Sequence, residues 1–117
     1  MDLDDTIKRL QAFEAAGADV LYAPGLYDLA TIKTVISAVK KPFNLVMGFA
    51  DPTLTVPVLS AAGVKRISVG GAMARVAMAA FLKCAHEMKD QGAFTFVREM
   101  VPMKDVREGF AKGKAAA

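Results

Sequence analysis

A repeat constrains this 117-residue chain more than any other feature. Helical stretches alternate with short apolar runs, a pattern that argues for parallel strands joined by crossover helices. Asp2 to Ala16 places acids and Thr6 where a helix N-terminus favours them. Ile7, Leu10, Phe13 and Ala16 then form one apolar stripe, and Gly17 stands where a left-handed C-cap is needed. Ala18 to Ala23 reads as a strand, closed by Pro24-Gly25. Asp28 caps a second helix running to about Lys40, and Pro42 ends it.

The second unit has its strand at Phe43 to Met47 and a loop from Gly48 to Pro52. Thr53 or Thr55 caps a short helix with Pro57 in its first turn, and Gly63 ends that helix. Arg66 to Val69 is the third strand, followed by Gly70-Gly71 and the longest helix, Ala72 to about Lys89. Met73, Val76, Ala77, Ala80, Phe81 and Cys84 share one side of it. Strand starts recur at about two dozen residues, the length of one βα unit. The tail breaks the pattern: Phe94 to Met100 reads as extended, a small helix opens at Pro102-Met103 and runs to about Phe110, and Gly113 to Ala117 should fray.

The fold class is therefore α/β, a partial (β/α)8 barrel of three βα units that ends in helices. A closed barrel takes around 250 residues, about twice this chain. One domain is expected over 1–117, with βα units to residue 92 and a C-terminal extension over 93–117. The strands are apolar on both faces, as when helices cover one side and a barrel interior the other. Left open, they expose a face and two edges, so a homo-oligomer or a missing N-terminal half-barrel is expected.

Composition narrows the setting. Apolar residues make up 54% and charged residues 23%, which excludes disorder, collagen and a disulfide scaffold. The lone Cys84 cannot bridge internally and fits a reducing compartment, so cytoplasm is the expected location. No run approaches a membrane span, and the start Met1-Asp2-Leu3-Asp4-Asp5 is acidic where a leader is basic. The net charge of +3 comes from scattered lysines and arginines without interleaved aromatics, so no nucleic-acid partner is expected.

Few residues read as chemistry. Gly70-Gly71 lets backbone approach an anion at the start of a helix, or simply serves a tight turn. Ser68 lends a hydroxyl there or packs. Asn44, an amide within an apolar strand, serves either substrate or a neighbouring strand. Tyr22 and Gly25 stand at the C-terminal end of their strand, where barrels carry binding loops. Asp51 reads as a turn former, His86 as a solvated helix residue, and Met47, Met73 and Met78 as core filling. No catalytic residue and no metal set is readable.

Three segments, Ala15-Ala16-Gly17-Ala18-Asp19-Val20-Leu21-Tyr22-Ala23-Pro24-Gly25, Lys41-Pro42-Phe43-Asn44, and Ala62-Gly63-Val64-Lys65-Arg66-Ile67-Ser68-Val69-Gly70-Gly71, carry a family resemblance. In that order and spacing they resemble the C-terminal half of the isocitrate lyase/phosphoenolpyruvate mutase family, nearest its methylisocitrate lyase-like and carboxyphosphonate mutase-like members. The resemblance covers essentially the whole chain. It implies a Mg²⁺-dependent (β/α)8 enzyme acting on C–C or P–C bonds beside a carboxylate in small 2-oxo or dicarboxylic acids. It also implies that the metal-binding acids, the cysteine-bearing gating loop and the substrate arginine of the fourth strand belong upstream of Met1. Cys84 lies in a long helix and does not match that gating-loop cysteine. Where several members carry a polar binding residue, this chain has Ala23-Pro24-Gly25. On these grounds the chain alone is expected to be inactive. The alternative is a non-catalytic half-barrel that self-associates.

Overall fold

The computed structural model describes residues 2–48 and 50–115, with side chains to residue 113. The chain divides into two compact units, Met1–Arg75 and Val76–Ala117.

The first unit begins with α1 (Leu3–Ala15), whose N-cap Asp2 accepts a hydrogen bond from the Asp5 N–H at 3.0 Å. At its end Gly17 takes φ +97°. There the Ala18 N–H reaches back to the Phe13 carbonyl and the Gly17 N–H to that of Glu14, the Schellman closure. The same closure ends α3 (Val56–Ala61): Gly63 sits at φ +98°, Val64 donates to Leu59 and Gly63 to Ser60. Two of the three helix-to-strand joints are thus one device used twice. Between them α2 (Leu29–Ser37) is capped by Asp28, which accepts from the Thr31 N–H at 2.9 Å and the Thr31 hydroxyl at 2.8 Å.

The strands β1 (Leu21–Tyr22), β2 (Phe43–Val46) and β3 (Arg66–Ser68) form a parallel sheet in that order. Tyr22 is in register with Asn44 and Asn44 with Arg66; Val46 is in register with Ser68. Side chains alternate across a strand. Leu21, Phe43 and Leu45 therefore point to one face, where they join Leu10 of α1, Ile32 and Val35 of α2 and Leu59 of α3 in a single buried cluster. The opposite face carries Tyr22, Asn44, Val46, Arg66 and Ser68. Val46 and Asn44 are both 5% exposed yet stand outside that cluster, as this alternation requires.

Several elements are shorter than the sequence pattern suggests. β1 covers two residues rather than Ala18 to Ala23, because the Schellman turn and the bend after it occupy the first half of that run. α2 stops at Ser37 instead of Lys40; beyond it the Lys40 N–H donates to the Glu14 carboxylate at 3.0 Å, which satisfies the backbone outside the helix.

In the second unit, the continuation of α4 (Ala72–Gln91) is followed by a 3-10 turn (Thr95–Glu99) and α5 (Met103–Ala115). The turn corrects the expectation of an extended Phe94 to Met100: among the described residues this unit has no strand to pair with. Instead the Thr95 N–H donates to the Glu87 carboxylate, and Lys83 pairs with Glu99 at 3.1 Å. α5 runs on past Phe110 through Gly113, where fraying was expected; residues 116 and 117 lie outside the described set. α4 buries none of its residues, so Met73 and Met78 are exposed rather than core filling; Met47 does pack against the buried cluster.

Candidate functional site

The C-terminal ends of the three strands converge on one rim of the sheet. There the Asp51 N–H donates to the Tyr27 carbonyl at 2.8 Å, tying the loop after β2 to the loop after β1. The Met47 N–H donates to the Ser68 carbonyl at 2.8 Å, and Gly48 lies against the Val69 carbonyl. Gly25 turns the chain after β1 at φ +91°, and Gly70 does so after β3 at φ +52°. A side chain at Gly71 would meet open space, and α4 starts at the next residue.

Below this rim, on the sheet face away from α1, α2 and α3, lies a polar set. Asn44 is the buried polar residue among the described core. Its amide nitrogen donates to the Ser68 hydroxyl at 3.1 Å, and its carbonyl oxygen accepts from the Arg66 guanidinium at 2.9 Å. The Ser68 hydroxyl in turn reaches the Leu45 carbonyl at 3.5 Å. An amide has two donor hydrogens and two acceptor sites, so one of each is left after these bonds. Tyr22 stands beside Asn44 in register, half exposed.

Of the residues singled out by sequence, Asn44 and Ser68 are brought into contact. Tyr22 shares their face, while Gly25, Gly70 and Gly71 lie at the rim. Arg66 was missed as a site residue, although its register with Asn44 puts it in the same row. The signal was present: Arg66 and Ser68, two apart on one strand, must share a face.

Asp51 forms a turn, accepting from the Thr53 N–H at 2.9 Å and the Thr53 hydroxyl at 2.7 Å. The N–H bond, then the hydroxyl, holds its carboxyl below the ordinary aspartate value. His86 is exposed on α4, with Nδ1 3.4 Å from Asp90. Cys84 is half-buried. Among the described residues no three His, Cys, Asp or Glu side chains gather as a metal site would need, and no helix is long and apolar enough to cross a membrane.

The phosphoenolpyruvate phosphomutase family profile matches residues 1–89. The chain belongs to this family. An oxaloacetate decarboxylase from Bradyrhizobium diazoefficiens is 39% identical over 69 residues, which is 59% of this chain and 23% of that protein. A protein of Burkholderia cenocepacia J2315 assigned as a lyase/mutase is 54% identical in its solved structure, with a TM-score of 0.86 over 94% of this chain and 40% of that one. A 2,3-dimethylmalate lyase of the phosphoenolpyruvate mutase/isocitrate lyase superfamily shares the fold at a TM-score of 0.70 and 24% identity, over 97% of this chain and 43% of that one. This family member thus spans about two fifths of the length of its solved relatives.

Proposed function

We propose that the chain is the C-terminal portion of a methylisocitrate lyase-like enzyme, acting on C–C or P–C bonds of small 2-oxo or dicarboxylic acids. In this reading residues 1–117 are one partial (β/α)8-barrel domain, with 93–117 its extension. The observation that carries the reading is the hydrogen bond between buried Asn44 and half-buried Ser68 on the sheet face opposite α1, α2 and α3, below a rim built by Gly25, Gly70 and Gly71. Ser68 closes β3, and a barrel enzyme keeps substrate groups at the C-terminal ends of its strands. The α4 start beyond Gly71 offers unpaired N–H groups to a substrate carboxylate or phosphonate. Tyr22 and Asn44 line the floor.

Mg²⁺, which the family resemblance implies, does not fit the residues of this chain. The acids stand apart as caps and turn formers, Asp2, Asp28 and Asp51 among them. In this reading the carboxylates come from the other part of the barrel, supplied by an N-terminal half or another copy, and the protein works in the cytoplasm.

The test combines the purified chain with a separately expressed N-terminal half of the Burkholderia relative and Mg²⁺. The pair is offered 2-methylisocitrate, isocitrate, oxaloacetate and phosphonopyruvate, and release of a 2-oxo acid is followed. Turnover by the pair and none by the chain alone is the expected outcome. A folded pair without turnover on any of the four would replace this reading with the second one, a non-catalytic half-barrel that self-associates. The exposed apolar residues of α4 favour that alternative.

A further inference from the structure

The orientation of the Asn44 amide is fixed from below. Arg66 opens β3 in register with Asn44, and its guanidinium donates to the Asn44 Oδ1 at 2.9 Å. A guanidinium has donors and no acceptor, so the amide oxygen must face it and the amide nitrogen must face the other way. There the nitrogen donates to the Ser68 Oγ at 3.1 Å. Asn44 is 5% exposed and held at both ends, so the amide keeps this direction.

Ser68 stands at the C-terminal end of β3, half-buried and two residues before Gly70. A hydroxyl has one hydrogen and two lone pairs. Because Asn44 donates to one of the lone pairs, the hydrogen of Ser68 points elsewhere. Its acceptor is the Leu45 carbonyl at 3.5 Å, far beyond the usual hydroxyl bond of about 2.8 Å, so that bond is weak. Arg66, Asn44 and Ser68 thus hand hydrogen bonds on in one direction, from the N-terminal end of β3 to its C-terminal end. An anionic oxygen at the rim draws the Ser68 hydrogen away from Leu45, because a charge-assisted bond is shorter and stronger than the one it replaces.

We infer that Ser68 is a specificity-determining donor of this site, giving its hydroxyl hydrogen to a carboxylate oxygen of the acid, and that Asn44 is the residue that positions it. The inference rests on the small-acid reading above and adds to it the group that engages the acid where β3 ends. Arg66 stays away from the acid and sets the amide from the far end of the strand.

The test titrates the whole chain with malonate, an inert dicarboxylate, at constant ionic strength, and follows the NMR shifts of the Gly70 and Gly71 N–H groups and the Asn44 side-chain amide. Malonate is expected to move all three. Ser68→Ala is expected to weaken binding about tenfold to about a hundredfold, the worth of a hydrogen bond to a charged group, while Ser68→Thr, which keeps the hydroxyl, stays within about threefold of the parent. Asn44→Asp puts an acceptor where the donor stood, so Ser68 turns its hydrogen inward and binding weakens as in Ser68→Ala. The double variant separates this from charge repulsion: it should bind about as well as Ser68→Ala alone, because the hydroxyl through which Asn44→Asp acts is gone. Additive losses would overturn the positioning role of Asn44. If malonate moves Gly70 and Gly71 and Ser68→Ala binds like the parent, the donor is overturned and the small-acid reading stands. If no signal moves in the parent chain, both are overturned.

Discussion

At the scale of single residues, two positions show how local chemistry sets this fold. Asp28 caps α2 through its carboxylate, and those bonds, the Thr31 N–H first and its hydroxyl next, hold the carboxyl below the ordinary value of 3.8. Because the folded-state pKa is the lower one, the stabilisation is complete above the unfolded-state value. It is lost as the pH falls through the folded-state value. Asp28→Asn, which keeps an acceptor but not the charge, should be less stable than the parent at neutral pH. It should also lose less on acidification from about pH 5 to about pH 2, as denaturant midpoints across that range will show. Gly63 makes the second case. At φ +98° its Cβ would stand 3.0 Å from the Ile36 Cγ2, so Gly63→Ala is expected to cost about 1–2 kcal/mol in urea unfolding. Both residues were legible as punctuation in the sequence. For Arg66 the sequence shows the face, since it stands two residues from Ser68 on one strand, but not the partner: Asn44 lies 22 residues earlier and strand register brings the two together.

At the scale of elements, the helices were easier to read than the strands. Caps and apolar stripes are local signals, and Asp2, Asp28 and Gly17 mark helix ends within a residue or two. Strand length is decided by pairing, and β1, whose one strand neighbour among the described residues is β2, pairs over two residues. A cleft lined by Phe13, Val20 and Tyr22 runs beside β1, at the edge where a further strand would sit in the proposed barrel. α4 poses the opposite problem. Its periodicity names an apolar side, but Met73, Val76 and Phe81 are 74%, 70% and 66% exposed. Periodicity tells which residues want cover and not what covers them. Should the proposed self-association use this helix, Val76→Lys with Phe81→Lys is expected to reduce the mass seen by sedimentation while the Met1–Arg75 unit keeps its spectrum. An unchanged oligomer would place the interface elsewhere.

At the scale of the whole molecule, the dispersed acids make a prediction about metal. Adding or chelating Mg²⁺ should leave the thermal midpoint of the isolated chain within about 1 °C, since a ligand stabilises only a fold that binds it. A rise of several degrees would show a metal site assembled from residues that stand apart among those described. The sequence by itself determined the α/β class, the Asp2 and Asp28 caps and the family, because each rests on residues close together in the chain or on their order along it. Only the tertiary structure decided that Asn44 is buried, that Ser68 and Arg66 are its partners, and that the Phe94 to Met100 run turns instead of extending. Those outcomes depend on which strands come to lie side by side and on which backbone groups are left without a partner. Long-range pairing settles both, and no local pattern encodes it.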